Sequence, residues 1–217
     1  MSKADRPPHF DAAFRERFAE LVRWRRDVRR FRSDPVPSEL IEQLLLLATY
    51  APSVGLSQPW RFVLVETAAR RAAIAANFER ANRAALDGYQ GERRLAYAKL
   101  KLAGLGQAPV HLAVCADEAT DVGHGLGRQT MPETLRYSVV TAVQILWLAA
   151  RAEGLGVGWV SILDPDAACR TLELPRDWSL VAYLCIGWPE EEHDDPELER
   201  HGWQERLSDL ATAPLRR

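Results

Sequence analysis

Large apolar residues recur along this chain at helical spacing in some stretches and as short dense runs in others, and the alternation predicts helices separated by strands. Phe14, Phe18, Leu21 and Val22 share one side of a helix predicted over residues 10–25. Ser38, a good N-cap with Glu39 behind it, opens the next. Leu40, Ile41, Leu44, Leu45, Leu47 and Ala48 form its stripe, and it stops before Pro52 and Gly55. Apolar runs over 61–65, 110–115, 157–162 and 180–187 read as strands, the first entered from a Gln58-Pro59-Trp60 turn.

The middle of the chain is different. Residues 68–86 are rich in Ala and Arg and predict a helix, 87–91 break it, and 92–102 predict a second helical piece. Few large apolar groups anchor this pair, so it should be the least firmly packed region. It suits a mobile cover over an active site or an ordinary surface helix pair equally well. After a loop with Gly123, Gly125 and Gly127, the Thr130-Met131-Pro132-Glu133 run matches a capping box. The helix it predicts, to residue 152, is apolar on most of its circumference through Leu135, Val139, Val140, Val143, Ile145, Leu146, Trp147 and Leu148. Such a helix is central, or shared with another subunit. Gly154 and Gly156 end it, and Asp164-Pro165 start a short helix.

From Pro189 the chain turns acidic, yet Leu198, Trp203 and Leu207 lie among the charges. A disordered tail has no use for such residues, so the tail is expected to pack, a partner subunit being one surface for it. Nothing divides the chain. It reads as one domain over 1–217, with a core at 10–188 and a C-terminal extension at 189–217, in an α+β or α/β layer architecture.

A formal net charge of -2 over 217 residues argues against nucleic acid as a partner. No apolar run is long enough for a membrane span, and the charged N-terminus lacks a signal-peptide core, so the cytoplasm is the expected location. Cys115, Cys169 and Cys185 are widely spaced, and the five histidines pair neither with each other nor with cysteine, so no metal site is expected.

Against that near-neutral background, Arg25-Arg26-Asp27-Val28-Arg29-Arg30-Phe31 is a local concentration of cations around one carboxylate. Guanidinium groups so close repel unless an anion sits among them, and their planar forks match phosphate oxygens. A solvated basic helix face fits the composition as well. The second polar loop, Ala51-Pro52-Ser53-Val54-Gly55-Leu56-Ser57-Gln58-Pro59-Trp60-Arg61, favours a ligand site. Other motifs fail. Gly154-Leu155-Gly156-Val157-Gly158 lies between a helix and a strand, the wrong order for a dinucleotide fingerprint, and reads as a turn. The 123–127 loop has no Gly-Lys-Ser/Thr ending, and no Gly-x-Ser-x-Gly elbow occurs.

Together the Arg-rich turn, the Ser53–Trp60 loop and Gly156-Val157-Gly158-Trp159-Val160-Ser161-Ile162-Leu163-Asp164-Pro165 resemble the nitroreductase superfamily over residues 15–205. The likeness is strongest to its 5,6-dimethylbenzimidazole synthase branch. Its markers are Asp27, where ordinary nitroreductases carry Ser, the Gly127–Thr134 run, and Ser161. The resemblance implies an α+β nitroreductase-like fold, a mixed central sheet flanked by helices, and an intertwined homodimer with FMN where the subunits meet. It implies a reaction in which dioxygen fragments reduced FMN to 5,6-dimethylbenzimidazole and erythrose 4-phosphate, for the lower ligand of cobalamin. A separate NAD(P)H flavin reductase would supply the reduced flavin.

Carried over residue by residue, Arg25, Arg26 and Arg29 are expected to hold the FMN phosphate and its neighbouring edge, with Asp27 and Val28 in the same FMN-binding segment. Ser53, Ser57 and Gln58 line the ribityl chain or ring, Leu102 comes from the lid, and Arg200 or Arg206 adds a tail contact. Asp27 is the expected general base beside the ribityl chain, kept ionised by its arginines, or simply their counter-charge. Ser161 is expected near flavin N5, or as a strand-end hydroxyl bonded to local backbone. A conventional NAD(P)H-dependent FMN reductase and a non-catalytic flavin carrier are the competing functions.

Overall fold

In a computed structural model, which describes residues 7–100, 104–207 and 214–215, the strand-like runs assemble into one sheet. It contains β1 (Trp60–Leu64), β2 (Val110–Asp117), β3 (Gly156–Val160) and β4 (Trp178–Gly187) in the order β1-β2-β4-β3. Helices α1 (Ala12–Trp24), α2 (Ser38–Ala48), α3 (Ala68–Asp87), α4 (Gly91–Lys99), α5 (Thr134–Ala152), α6 (Pro165–Thr171) and α7 (Glu197–Arg200) surround it. The α+β class expected from the sequence is the class observed. The sheet itself is not mixed: its three ladders are antiparallel, and the parallel element among the described residues is an isolated bridge between Asp27 and Val157.

Side chains alternate across the central strands, so each strand feeds two cores. Leu112, Val114, Ala116, Ala182, Leu184 and Ile186 face α2 and α5, while Ala113, Tyr183 and Cys185 meet Phe31, Ile74, Ala168 and Leu172 on the other side. Helix α5 buries Leu135, Val139, Ala142, Val143, Leu146, Trp147 and Ala150 on one stripe. Its opposite face keeps Tyr137 and Val140 exposed, so it is central on one side and open on the other.

The predicted capping box does not form. Helix α5 starts at Thr134, four residues later, and its N-cap Glu133 makes no side-chain bond. The Thr130 hydroxyl donates back to the Gly127 carbonyl at 3.1 Å, and Thr130 itself lies in a turn three residues ahead of the N-cap position. Ser38 likewise lies inside α2, with Pro37 at the cap position. The middle pair is lightly packed, as expected: its buried residues are Ile74 and Asn77 in α3 and Tyr97 in α4. Asn77 ties α3 to the start of α6 through paired bonds with the Asp164 backbone, 2.9 and 3.0 Å.

Candidate active site

The Arg-rich segment leaves α1 at Arg25 in extended conformation and runs beside β3. The Val28 amide donates to the Val157 carbonyl at 3.0 Å, and the Arg32 amide donates to Trp188 O at 2.8 Å. Phe31 closes the arrangement as a plug, 1% exposed, in the core beneath the sheet. Two glycines permit this docking. A Cβ at Gly158 would lie 2.1 Å from the Val28 carbonyl oxygen, and one at Gly156 would lie under 3.0 Å from the Val28 side chain. The Gly154–Gly158 run is therefore not only a turn, as its composition suggests. Gly156 and Gly158 sit within β3 and form the groove that receives Asp27 and Val28.

Docking fixes Asp27 at both oxygens. Oδ1 accepts the Trp159 backbone N–H at 2.9 Å, and Oδ2 accepts from Arg29 Nε at 2.9 Å. About a third of the side chain, 34%, still reaches a cleft. The arginines do not dominate its titration, contrary to the expectation from sequence. Burial raises the Asp27 pKa above the ordinary carboxylate value, and Arg29 and the Trp159 amide offset this only in part.

The neighbouring arginines serve the tail and a cavity, and Arg26 serves both. Arg30 pairs with Glu191 at 2.9 Å and Glu197 at 3.0 Å, while Arg26 donates to the Asp194 carbonyl, so both engage the acidic tail. Arg25, Arg26, Asp27 and Arg29 line a cavity of about 180 Å³ with Pro196, Glu197, Leu198 and Arg206 of that tail. Burial lowers the pKa of Arg25 and Arg26, and the Arg206 cation lowers both further. Four guanidinium groups thus face two carboxylates, one of which, Glu197, already serves Arg30. The positive excess has the size and place for a phosphate.

The tail from Pro189 to Trp203 packs on its own chain. Glu192 adds a bidentate pair with Arg151, 2.8 and 2.9 Å, at the end of α5. Of the tail arginines named from sequence, Arg206 lines this cavity, whereas Arg200 binds Asp195 at 2.6 Å and lines an adjoining cavity that shares Arg26, Asp27 and Arg29 with it. Leu102 lies outside the described residues.

Ser53, Ser57 and Gln58 occupy a different place. Their loop packs on the start of α5, where the Val54 amide donates to Ser138 Oγ at 3.0 Å. The Arg turn meets the other end of that helix, where Trp147 Nε1 donates to Arg26 O at 3.2 Å and Arg25 lies over the indole, 4.9 Å from its centroid. Ser138 and Trp147 are roughly 13 Å apart along the axis. Within one chain the two halves of the expected site do not converge. Ser53 Oγ accepts the Gln58 amide at 3.1 Å, shaping the loop. Ser57 Oγ is buried and has no hydrogen-bond partner among the described residues. Ser161 follows β3 directly and is exposed, two residues beyond the amide that holds Asp27.

A profile of the nitroreductase family matches residues 22–188. A 5,6-dimethylbenzimidazole synthase of Rhodospirillum rubrum is 60% identical over 199 residues, spanning 92% of this chain and 94% of that protein. A 5,6-dimethylbenzimidazole synthase of Rhodobacter capsulatus is 51% identical, spanning 92% of this chain and 96% of its own. Among solved structures, an oxidised iodotyrosine deiodinase bound to FMN and 3-iodo-L-tyrosine is 27% identical with a TM-score of 0.69, over 81% of this chain and 91% of that one.

Proposed function

Because the chain belongs to the nitroreductase family, we infer that the Arg-lined cleft takes FMN and that the protein is a 5,6-dimethylbenzimidazole synthase. Its substrate is reduced FMN, which dioxygen fragments to 5,6-dimethylbenzimidazole and erythrose 4-phosphate. The observation that carries this reading is the carboxylate of Asp27, fixed by Arg29 and the Trp159 amide beside a cavity with excess positive charge. A reductase that returns its flavin intact needs no acid–base group at that position. A reaction that dismantles the ribityl chain does.

The residues present fit the substrate. Arg25, Arg26, Arg29 and Arg206 hold the phosphate, and Val28 supplies backbone that fixes the turn. Asp27 then lies beside the ribityl chain, where its oxygens take up the proton lost as that chain is cut. Its raised pKa makes it a stronger base than an exposed aspartate and keeps it protonatable nearer neutrality. Ser161, beyond the Trp159 amide, orients the reacting ring through its hydroxyl.

The separated half of the site calls for a second copy of the chain. Ser53, Ser57 and Gln58 of one subunit line the flavin held by the arginines of the other, with Gln58 exposed for that contact and Ser57 buried within the same loop. Exposed Phe10 just before α1, Phe14, Phe18 and Val22 on it, Leu46, Leu47 and Tyr50 at α2, and Tyr137 and Val140 on α5 supply apolar surface for a homodimer. A separate reductase delivers the reduced flavin.

The test is to mix the protein with reduced FMN, admit oxygen, and follow flavin absorbance while assaying benzimidazole. Loss of the flavin with matching product is the expected result. Intact flavin cycling with NAD(P)H would replace this reading with a reductase, and simple protection of the flavin would replace it with a carrier.

A further inference from the structure

The cleft is walled on one side by a C-terminal strap, residues 189–206, that is fastened at two places. One fastening is ionic: Arg30 to Glu191 and Glu197, Arg151 to Glu192, and Arg26 to the Asp194 carbonyl. The other is aromatic and lies on the lightly packed α3–α4 pair. Pro196, Glu197 and Leu198 ahead of the second fastening and Arg206 just beyond it line the cavity.

The second fastening begins in a helix stop. Helix α7 closes with a Gly202 amide bond to Glu199 O at 2.9 Å and a Trp203 amide bond to Leu198 O at 2.8 Å, with Gly202 at φ +66. That paired pattern is a Schellman turn, and its left-handed residue favours glycine. The turn reverses the chain and places Trp203 against α4. Its ring meets Tyr89 edge-on at 5.5 Å and Tyr97 at 6.0 Å, and these two tyrosines stack on each other at 5.0 Å. Arg93 lies 5.2 Å over the indole and also donates to the Trp203 carbonyl at 2.9 Å. Tyr97 is buried, and its hydroxyl donates to Asn82 Oδ1 at 2.7 Å, so the platform is itself fixed to α3.

We propose that Trp203 is a positioning residue for the ligand phosphate: seated among Tyr89, Tyr97 and Arg93, it holds the strap so that Arg206 faces Arg25, Arg26 and Arg29 across the cavity. Arg206 follows Trp203 by only three residues, and its amide lies 3.5 Å from Glu199 Oε1, so the anchor and the cation move as one unit. An arginine on an unanchored tail must lose chain and rotamer freedom at each binding event, whereas an anchored one has lost it beforehand. The proposal rests on the flavin reading above.

The test uses the full chain and compares FMN with riboflavin, which lacks the phosphate. Trp203→Ala is expected to weaken FMN binding about tenfold and riboflavin binding by less than about twofold. Arg206→Ala should show the same selectivity, the double variant should bind FMN no worse than Arg206→Ala alone, and Trp203→Phe should restore most of the affinity. Equal losses for the two flavins, or additive losses in the double variant, would overturn the proposal, because a tryptophan that merely stabilises the fold cannot distinguish a phosphate. If Trp203→Ala does not fold, Arg93→Ala removes the ring's cation and its carbonyl bond while keeping the indole. It should give a smaller loss confined to FMN, and a loss shared with riboflavin would again overturn the idea. Wild-type protein that bound neither flavin would sink the flavin reading itself, a result distinct from all of these.

Discussion

Asp27 and His111 are both titratable groups held against the central sheet, and burial penalises the charge on both, yet their surroundings are opposites. His111 on β2 is 1% exposed, with Nδ1 3.0 Å from the Tyr183 hydroxyl and the two rings edge to face. Burial first, and the Arg71 cation second, push its pKa down to about 4, so the ring stays neutral at physiological pH. Arg71 is itself occupied by the Val65 and Pro109 carbonyls. Asp27 instead opens on a cavity with more guanidinium groups than carboxylates. An enclosed neutral pair is satisfied and structural. A desolvated carboxylate left facing a charged cavity is incomplete without a ligand.

The strongest way to break this contrast is Asp27→Asn. Benzimidazole formation from reduced FMN should fall by about 10²–10⁴-fold, the range for loss of a general base, while FMN binding persists. Stability should move the other way. A folded pKa raised above the unfolded value means that the carboxylate's contribution is present at low pH and lost as pH rises through the folded value. The asparagine variant should therefore lack that fall in stability with rising pH. A variant with full product yield would make Asp27 a mere counter-charge, and the two regions would then be alike.

His111 supplies the reverse experiment. Its folded pKa is depressed, so its contribution is present above the unfolded value near 6.5 and is lost as pH falls towards about 4. The full shift corresponds to an upper limit of about 3 kcal/mol. Denaturant midpoints of wild type should fall across that window, and His111→Gln should remove part of the slope without altering the pH dependence of product formation. A changed product profile in that variant would show that the pair is coupled to the chemistry.

Gly158→Ala sharpens the comparison by moving only one region. The added carbon meets backbone, the Val28 carbonyl, rather than a flexible side chain. Overpacking of this kind costs about 1–3 kcal/mol. The Arg turn should lift from β3, weakening FMN binding and releasing Asp27 from the Trp159 amide. The His111–Tyr183 pair should be undisturbed, which amide exchange along β2 and β4 would report.

The difference between the regions also marks what was legible in sequence. The arginine cluster, Asp27 and the apolar stripe of α5 are local patterns: the stripe predicted its helix, and the cluster lines a cavity as a group. The groove at Gly156 and Gly158 was not legible as a groove, because its occupant, Val28, lies about 130 residues earlier in the chain. The strap was anticipated only as a tail that packs somewhere; that Arg30 is spent on Glu191 and Glu197 is a tertiary fact. The direction of the Asp27 shift was misjudged for the same reason. Neighbouring charges can be read from adjacent letters, but desolvation depends on what the fold places around them. The capping box failed because the chain stays in turns past Thr130 and the helix begins only at Thr134.

The smallest expected effect belongs to Ser161, and it tests how far the reactive region extends. This serine lies beyond β3, outside the hydrogen bonds that fix Asp27, and it is exposed. Its replacement by alanine should leave melting within about 0.5 kcal/mol of wild type, as for surface changes generally. If its hydroxyl orients the flavin ring, Ser161→Ala should lower product formation about tenfold with little change in FMN affinity, because a group that orients the reacting ring acts on turnover more than on binding. Benzimidazole formed per flavin consumed is the sharper readout: a serine that directs the reaction changes that ratio, whereas one that only finishes a strand leaves it at the wild-type value. An unchanged ratio would confine the reactive region to the carboxylate and its arginines.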